Sequence, residues 1–229
     1  LSFLCLLISF FSLLSSAQST EKIWFDKTDS VNGYYLVIKP ASNIIQGALI
    51  LLDGYGGNAE SLLPETKIHN VAAVNDILTV CIPTGTHLYL DNSMAELMNR
   101  ILKEIKVNYN LRKEKFAIGG MSSGGTIALR YAERCYENPA EFPILPKAVF
   151  DIDSPLDLAG LYKSSQRDLQ KNNGGWWLGE AQMIVERFNK ELGDINGDMK
   201  KYKEVSPFLR EQKDSANEKF LINTAVRTY

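Results

Sequence analysis

The stretch Gly119-Gly120-Met121-Ser122-Ser123-Gly124-Gly125 holds the residue types best suited to chemistry. Within it, Gly120-Met121-Ser122-Ser123-Gly124 fits the pattern G-x-S-x-G. An apolar run, Lys115-Phe116-Ala117-Ile118, precedes it, and a helical pattern, Thr126-Ile127-Ala128-Leu129, follows. A serine on a tight strand-to-helix turn is a nucleophile elbow. Such a turn holds the serine in strained backbone angles, so the positions two before and two after it, Gly120 and Gly124, must be free of side chains. Ser122 would then stand at a helix N-terminus, where free N–H groups and the macrodipole favour developing negative charge. Two other patterns fit less well. A plain Gly/Ser loop lacks the flanking strand and helix. A phosphate-binding loop, Gly119 to Gly124, would need a lysine where Gly125 stands.

An attacking serine also needs donors for the oxyanion. One would be the N–H of the next residue, Ser123. The other is expected from the glycine-rich loop Asp53-Gly54-Tyr55-Gly56-Gly57, with the N–H of Tyr55 as the candidate. Gly54-x-Gly56-x-x-Ala59 also matches a dinucleotide fingerprint, but the acidic residue expected after the next strand is missing, since that strand ends Cys81-Ile82-Pro83.

The elements that must position these residues alternate. Residues 22–26 and 34–38 read as strands joined by a turn at Asn32-Gly33. Residues 48–52 and 77–83 are continuous apolar runs, the mark of strands buried on both faces. Residues 94–109 carry helical periodicity through Leu97, Ile101, Leu102 and Ile105. The serine strand and its helix follow, then a strand over 148–152. Residues 157–210 turn polar and helical around Gly174-Gly175-Trp176-Trp177, a helical cap region. A last strand is expected over 219–226. Strands alternating with helices predict an α/β fold, a doubly wound and mostly parallel sheet flanked by helices.

In element order and in these two motifs the chain from Lys22 to Tyr229 resembles an α/β-hydrolase of the bacterial secreted esterase or acyl-hydrolase kind. The resemblance implies a Ser, Asp/Glu, His triad in that chain order. The sequence departs from it here. The two histidines, His69 and His87, both precede Ser122, and the final acid is Glu218. The triad acid and base are therefore expected beyond Tyr229, with the domain 22–229 incomplete at its C-terminus and lacking its last strand and helix. Asp153 stands just past the strand at 148–152, as a turn residue or as an alternative acid. His87 is expected near the substrate entrance and His69 on the surface.

Composition excludes little. The 229 residues suffice for one domain, and a net charge of −2 gives no reason to expect nucleic acid. Residues 1–17 read as a partial signal peptide cut near Ala17, hence a secreted or periplasmic protein without a stable membrane anchor. Cys81 and Cys135 read as buried free thiols, a bridge being the alternative. Asp194-x-Asn196-x-Asp198 begins like a calcium loop but has Met199 and Val205 where glycine and glutamate belong. Trp176-Trp177 reads either as a packed cap or as an acyl or aromatic surface. No cofactor or metal is implied, and the partner is a small-molecule or acyl-bearing substrate. The expected activity is ester or related acyl hydrolysis, inactive in the 229 residues alone. A peptidase of the same fold and a non-catalytic binding protein are the alternatives.

Overall fold

The structure, a computed structural model, describes residues 18–42, 44–171, 174–212 and 216–229. The leader read over 1–17 lies outside them. Seven strands form one sheet: β1 (Ser19–Trp24), β2 (Tyr34–Lys39), β3 (Gly47–Leu52), β4 (Ile77–Ile82), β5 (Phe116–Met121), β6 (Ala148–Ile152) and β7 (Ala225–Thr228). Their order is β1-β2-β4-β3-β5-β6-β7. β1 and β2, and β2 and β4, run antiparallel; every pairing from β4 onward is parallel. The helices are α1 (Leu62–Glu65), α2 (Ile68–Val74), α3 (Asn92–Asn108), α4 (Ser123–Glu137), α5 (Leu158–Lys171), α6 (Trp177–Glu191) and α7 (Ile195–Val205).

Alternation along the central strands explains why both faces are covered. Ala48, Ile50 and Leu52 of β3 join Leu78, Val80 and Ile82 of β4 on the face beneath α3 and α4. Leu49, Leu51 and Cys81 point to the opposite face, where Ala72 of α2 packs. The apolar stripe of α3, Met94, Met98, Ile101, Leu102 and Ile105, recurs at three- and four-residue spacing and is buried throughout. Cys81 and Cys135 are buried, unpaired and in different clusters, and burial pushes the Cys81 thiol up to about 12.

Boundaries differ from the sequence expectation in places; the first strand, expected over 22–26, is Ser19–Trp24. The serine strand does not stop at Ile118 but runs to Met121, because Gly119 and Gly120 pair with Leu51 and Leu52 on one side and Phe150 and Asp151 on the other. The last strand is not residues 219–226. Residues Asn217–Leu221 form a 3₁₀ turn instead, and β7 starts at Ala225. The Asn217 side chain donates to the Lys203 and Ser206 carbonyls, and Leu221 enters the core, so this segment is anchored before it can extend. β7 lies at the sheet edge, and all four of its residues are exposed.

Helices α5 to α7 bury a second cluster of Tyr89, Tyr162, Phe188 and Tyr202, with Tyr162 and Phe188 stacked and Phe188 edge-on to Tyr202. Their hydroxyls are satisfied by Glu191, Asn189 and Gly193. Arg130 of α4 ties this layer to the sheet. Its Nε donates to the Glu204 carbonyl at 2.8 Å while its Nη atoms face Glu133 and Glu137.

Asp151 of β6 is a buried carboxylate beneath α4. It is 1 % exposed, and neither oxygen takes a hydrogen bond among the described residues. Burial pushes its carboxyl up to about 6, against a weaker downward pull from Ser154. The native state therefore holds this proton more tightly than the unfolded chain, and stability should fall as pH rises from about 4 through 6. Urea denaturation at pH 4.5 and pH 8 checks this. Between pH 4.5 and pH 8, Asp151→Asn should gain about 1–2 kcal/mol on the parent and be the more stable protein at pH 8. Equal stability of the two proteins at pH 8 would contradict the reading.

Candidate functional site

Ser122 links β5 to α4 with φ 52° and ψ −127°, a conformation that non-glycine residues rarely adopt. Its N–H donates to the Ile152 carbonyl at 2.9 Å, and its carbonyl accepts from Gly125 and Thr126 at 3.0 and 3.2 Å. The flanking glycines are required by contact. A Cβ on Gly120 would come 2.6 Å from the Leu52 carbonyl oxygen, and one on Gly124 would run into the carbonyls of Leu52 and Asp53. These neighbours are backbone and cannot swing aside.

The loop after β3 arrives at the same place. A methyl added to Gly54 would lie 3.4 Å from Ser122 Cβ and 3.8 Å from its Oγ. Three of the loop's N–H groups are used: Gly54 donates to Asp53 Oδ1, Gly56 to the Gly85 carbonyl, and Gly57 to the Gly54 carbonyl. The N–H of Tyr55 takes no acceptor among the described residues. The N–H of Ser123, the first residue of α4, is in the same condition, although Ser123 is buried. A buried donor left free at a helix start is an anion-binding feature. Thr84, just after β4, braces the loop: its Oγ1 donates to the Gly54 carbonyl at 2.7 Å, and its N–H and that of Gly85 donate to the Gly57 carbonyl. Thr84 was not singled out by the sequence; the only local cue is Pro83-Thr84-Gly85, an unremarkable turn.

Tyr55, Ser122 and Ser123 thus line one cavity of about 860 Å³. Its far wall is supplied by Leu161 of α5 and by Glu180, Met183 and Ile184 of α6, residues that carry no motif. Asp153 also lines it, in a left-handed turn (φ 49°) just past β6, and is exposed.

The histidines are elsewhere. His87 does not line the cavity, contrary to expectation; its neighbour Leu88 does. The ring faces Asp91, with Nδ1 at 2.7 Å from Oδ2. Asp91 also caps α3 by accepting from Met94 N–H. Burial alone would raise Asp91, but these hydrogen bonds prevail and hold its carboxyl down at about 2. His69, on α2, is half-buried and also outside the cavity lining. Desolvation, reinforced by Lys67, lowers its imidazole from the ordinary value. Asp194 of the calcium-like stretch caps α7 by accepting from Asn196 N–H.

The contacts around the turn set a mutational order. Gly124→Ala should cost about 2–4 kcal/mol in urea denaturation, because its methyl meets fixed carbonyls. Gly54→Ala, whose methyl finds ordinary contact distances, should cost under about 1 kcal/mol. Equal costs would show that the close approach of β3 to α4 is not as described.

No family model matches the sequence, and no curated protein matches it. Solved structures do. An S-formylglutathione hydrolase from Agrobacterium tumefaciens superposes with a TM-score of 0.54 at 10% identity, over 93% of this chain and 84% of its own. An S-formylglutathione hydrolase from Staphylococcus aureus gives 0.52 at 12%, over 81% and 73%. A fluorophosphonate-binding serine hydrolase of the same organism gives 0.50 at 14%, over 76% and 74%. At such identities the likeness bears on architecture, and together with the strand order it shows that this chain has the α/β-hydrolase fold.

Proposed function

We propose that this protein is a serine hydrolase that cleaves a carboxylic ester or related acyl bond through an acyl-enzyme on Ser122. The observation that carries the reading is the backbone of Ser122, held at φ 52° and ψ −127° at the start of α4, in a cavity with two free N–H groups. Strain of this kind costs roughly 1–3 kcal/mol and clusters at functional sites. Here it presents the hydroxyl as a nucleophile elbow does. Ser122 Oγ would attack the carbonyl carbon. The N–H groups of Tyr55 and Ser123 would hold the oxyanion. The alcohol would leave with a proton, and water would then release the acid. The names of the structural neighbours support hydrolysis of this general type. Helices α5 and α6 act as a cap over the cavity, with Leu161, Met183 and Ile184 on its wall. The apolar leader read over 1–17 supports a reaction outside the cytoplasm, in the periplasm or medium.

Proton transfer from Ser122 is the step this cavity leaves unaided by an imidazole. Neither His69 nor His87 lines the cavity, so no described imidazole stands ready to take the Ser122 proton. The 229 residues alone should therefore turn over weakly, relying on oxyanion stabilisation and binding, which leave roughly 10³–10⁴ over water in a serine protease stripped of its triad.

Labelling with a fluorophosphonate probe tests both statements. Covalent labelling should be slow and absent in Ser122→Ala. Free imidazole at tens of millimolar should accelerate it several-fold, because the cavity has room for an external base. Labelling that persists in Ser122→Ala would remove the nucleophile assignment. No labelling with or without imidazole, in protein with a cooperative unfolding transition, would favour a binding protein that retains the turn without its chemistry. Rapid labelling with no response to imidazole would mean that the chain already holds a base.

A further inference from the structure

The cavity beside Ser122 is electrically one-sided. Asp53, Asp153 and Glu180 contribute three carboxylates to its lining, which includes no lysine, arginine or histidine. None of the three forms an ion pair with a described residue. Asp53 is 8 % exposed, and one of its oxygens accepts the Gly54 N–H, so its position is fixed by the loop that faces the serine. Asp153 and Glu180 stand on the other sides, at the end of β6 and on α6.

A second, independent feature adjoins it. Trp176 and Trp177 open α6, three and four residues before Glu180 and seven before Met183 and Ile184, which places them on the stripe of the helix that forms the cavity wall. At 1.5 Å per residue their Cα atoms lie about 4.5–6 Å along the axis from Glu180. Both are exposed, Trp176 at 82 %, and they meet edge to face with centroids 6.2 Å apart. Every described cation–ring contact lies elsewhere, so these two faces carry no cation of the chain's own. Exposed tryptophan faces beside unneutralised carboxylates are the chemistry that holds alkylammonium groups. An anionic substrate meets repulsion on three sides.

We infer that the site selects acyl esters whose alcohol part carries a fixed positive charge, such as a quaternary ammonium, with the charge among Glu180, Asp153 and the Trp176–Trp177 rim. This rests on the reading of the cavity as an acyl-transfer site, but binding can be tested without turnover. In Ser122→Ala, tryptophan fluorescence would follow titration with butyrylcholine, with its neutral isostere 3,3-dimethylbutyl butyrate, and with the anionic 3-sulfopropyl butyrate. At about 20 mM salt butyrylcholine should bind at least fivefold more tightly than the neutral ester, and the sulfonate most weakly. The gap should shrink at about 500 mM salt, as charges screened over a few ångströms require. Glu180→Gln combined with Asp153→Asn should erase the cation preference, bringing the butyrylcholine and neutral-ester affinities together, and both sites are exposed enough to spare the fold. Trp176→Ala should weaken butyrylcholine more than the neutral ester. Equal affinity for cationic and neutral esters, or tighter binding of the sulfonate, would overturn the inference. A cation preference in protein that never labels with fluorophosphonate would uphold it and remove only the catalytic reading.

Discussion

The site depends on how closely the end of β3 approaches the start of α4. Two backbone segments cross with Gly120 and Gly124 between them, and the Leu52 and Asp53 carbonyls occupy the space that side chains would need. That approach is what bends the chain at Ser122 into a conformation costing roughly 1–3 kcal/mol. The turn cannot relax by itself, because the strands on either side of β5 are hydrogen-bonded through Gly119 and Gly120. Parallel pairing of β3, β5 and β6 and burial of Ile50, Leu52 and Ile118 beneath α3 and α4 supply the opposing energy, at roughly 1.5–3 kcal/mol per large aliphatic side chain.

The same approach decides which polar groups stay free. Gly54, Gly56 and Gly57 spend their N–H groups on the loop itself, and the loop is clasped by Thr84 and Gly85. What remains is the Tyr55 N–H and, at the start of α4, the Ser123 N–H, both on residues that line the cavity with Ser122. A strained serine whose cavity also holds two N–H groups without a described acceptor forms a more specific signature than the serine motif alone.

Much of this was legible in the sequence, for local reasons. The continuous apolar runs of β3 and β4 have few alternatives to a doubly covered strand, and G-x-S-x-G gains meaning from the strand and helix on either side. Tyr55 could be named because the loop after β3 is glycine-rich in a place where backbone must come close. Non-local features were not legible. The segment at 219–226 has the composition of a strand, yet Asn217 is captured by carbonyls of Lys203 and Ser206, and the strand forms only from Ala225. His87 follows β4 at the end of the sheet where the site lies, but its ring faces Asp91 four residues on. Leu161, Glu180, Met183 and Ile184 reach the cavity through the packing of α5 and α6, which no local pattern encodes. Asp151 looked like any residue in a β-strand; only its cover by α4 makes it a buried carboxylate.

An acidic wall beside the proposed oxyanion site carries a physical tension. Negative charge grows on the substrate carbonyl in the transition state, and nearby carboxylates oppose it unless something of opposite sign intervenes. Tyr55 and Ser123 offer partial charges from N–H dipoles. A substrate cation lodged near Glu180 would offer a whole one. Its field would act on the carboxylates in the ground state and on the growing oxyanion only in the transition state. Such a charge would do more than improve binding, because an interaction strengthened as the reaction proceeds raises the rate of the chemical step. A pocket of this polarity is then costly for a neutral ester and harsher still for an anionic one. On the proposed reading, the residues around Ser122 would carry the acyl chemistry, and those on α6 would set for which alcohols it is fast.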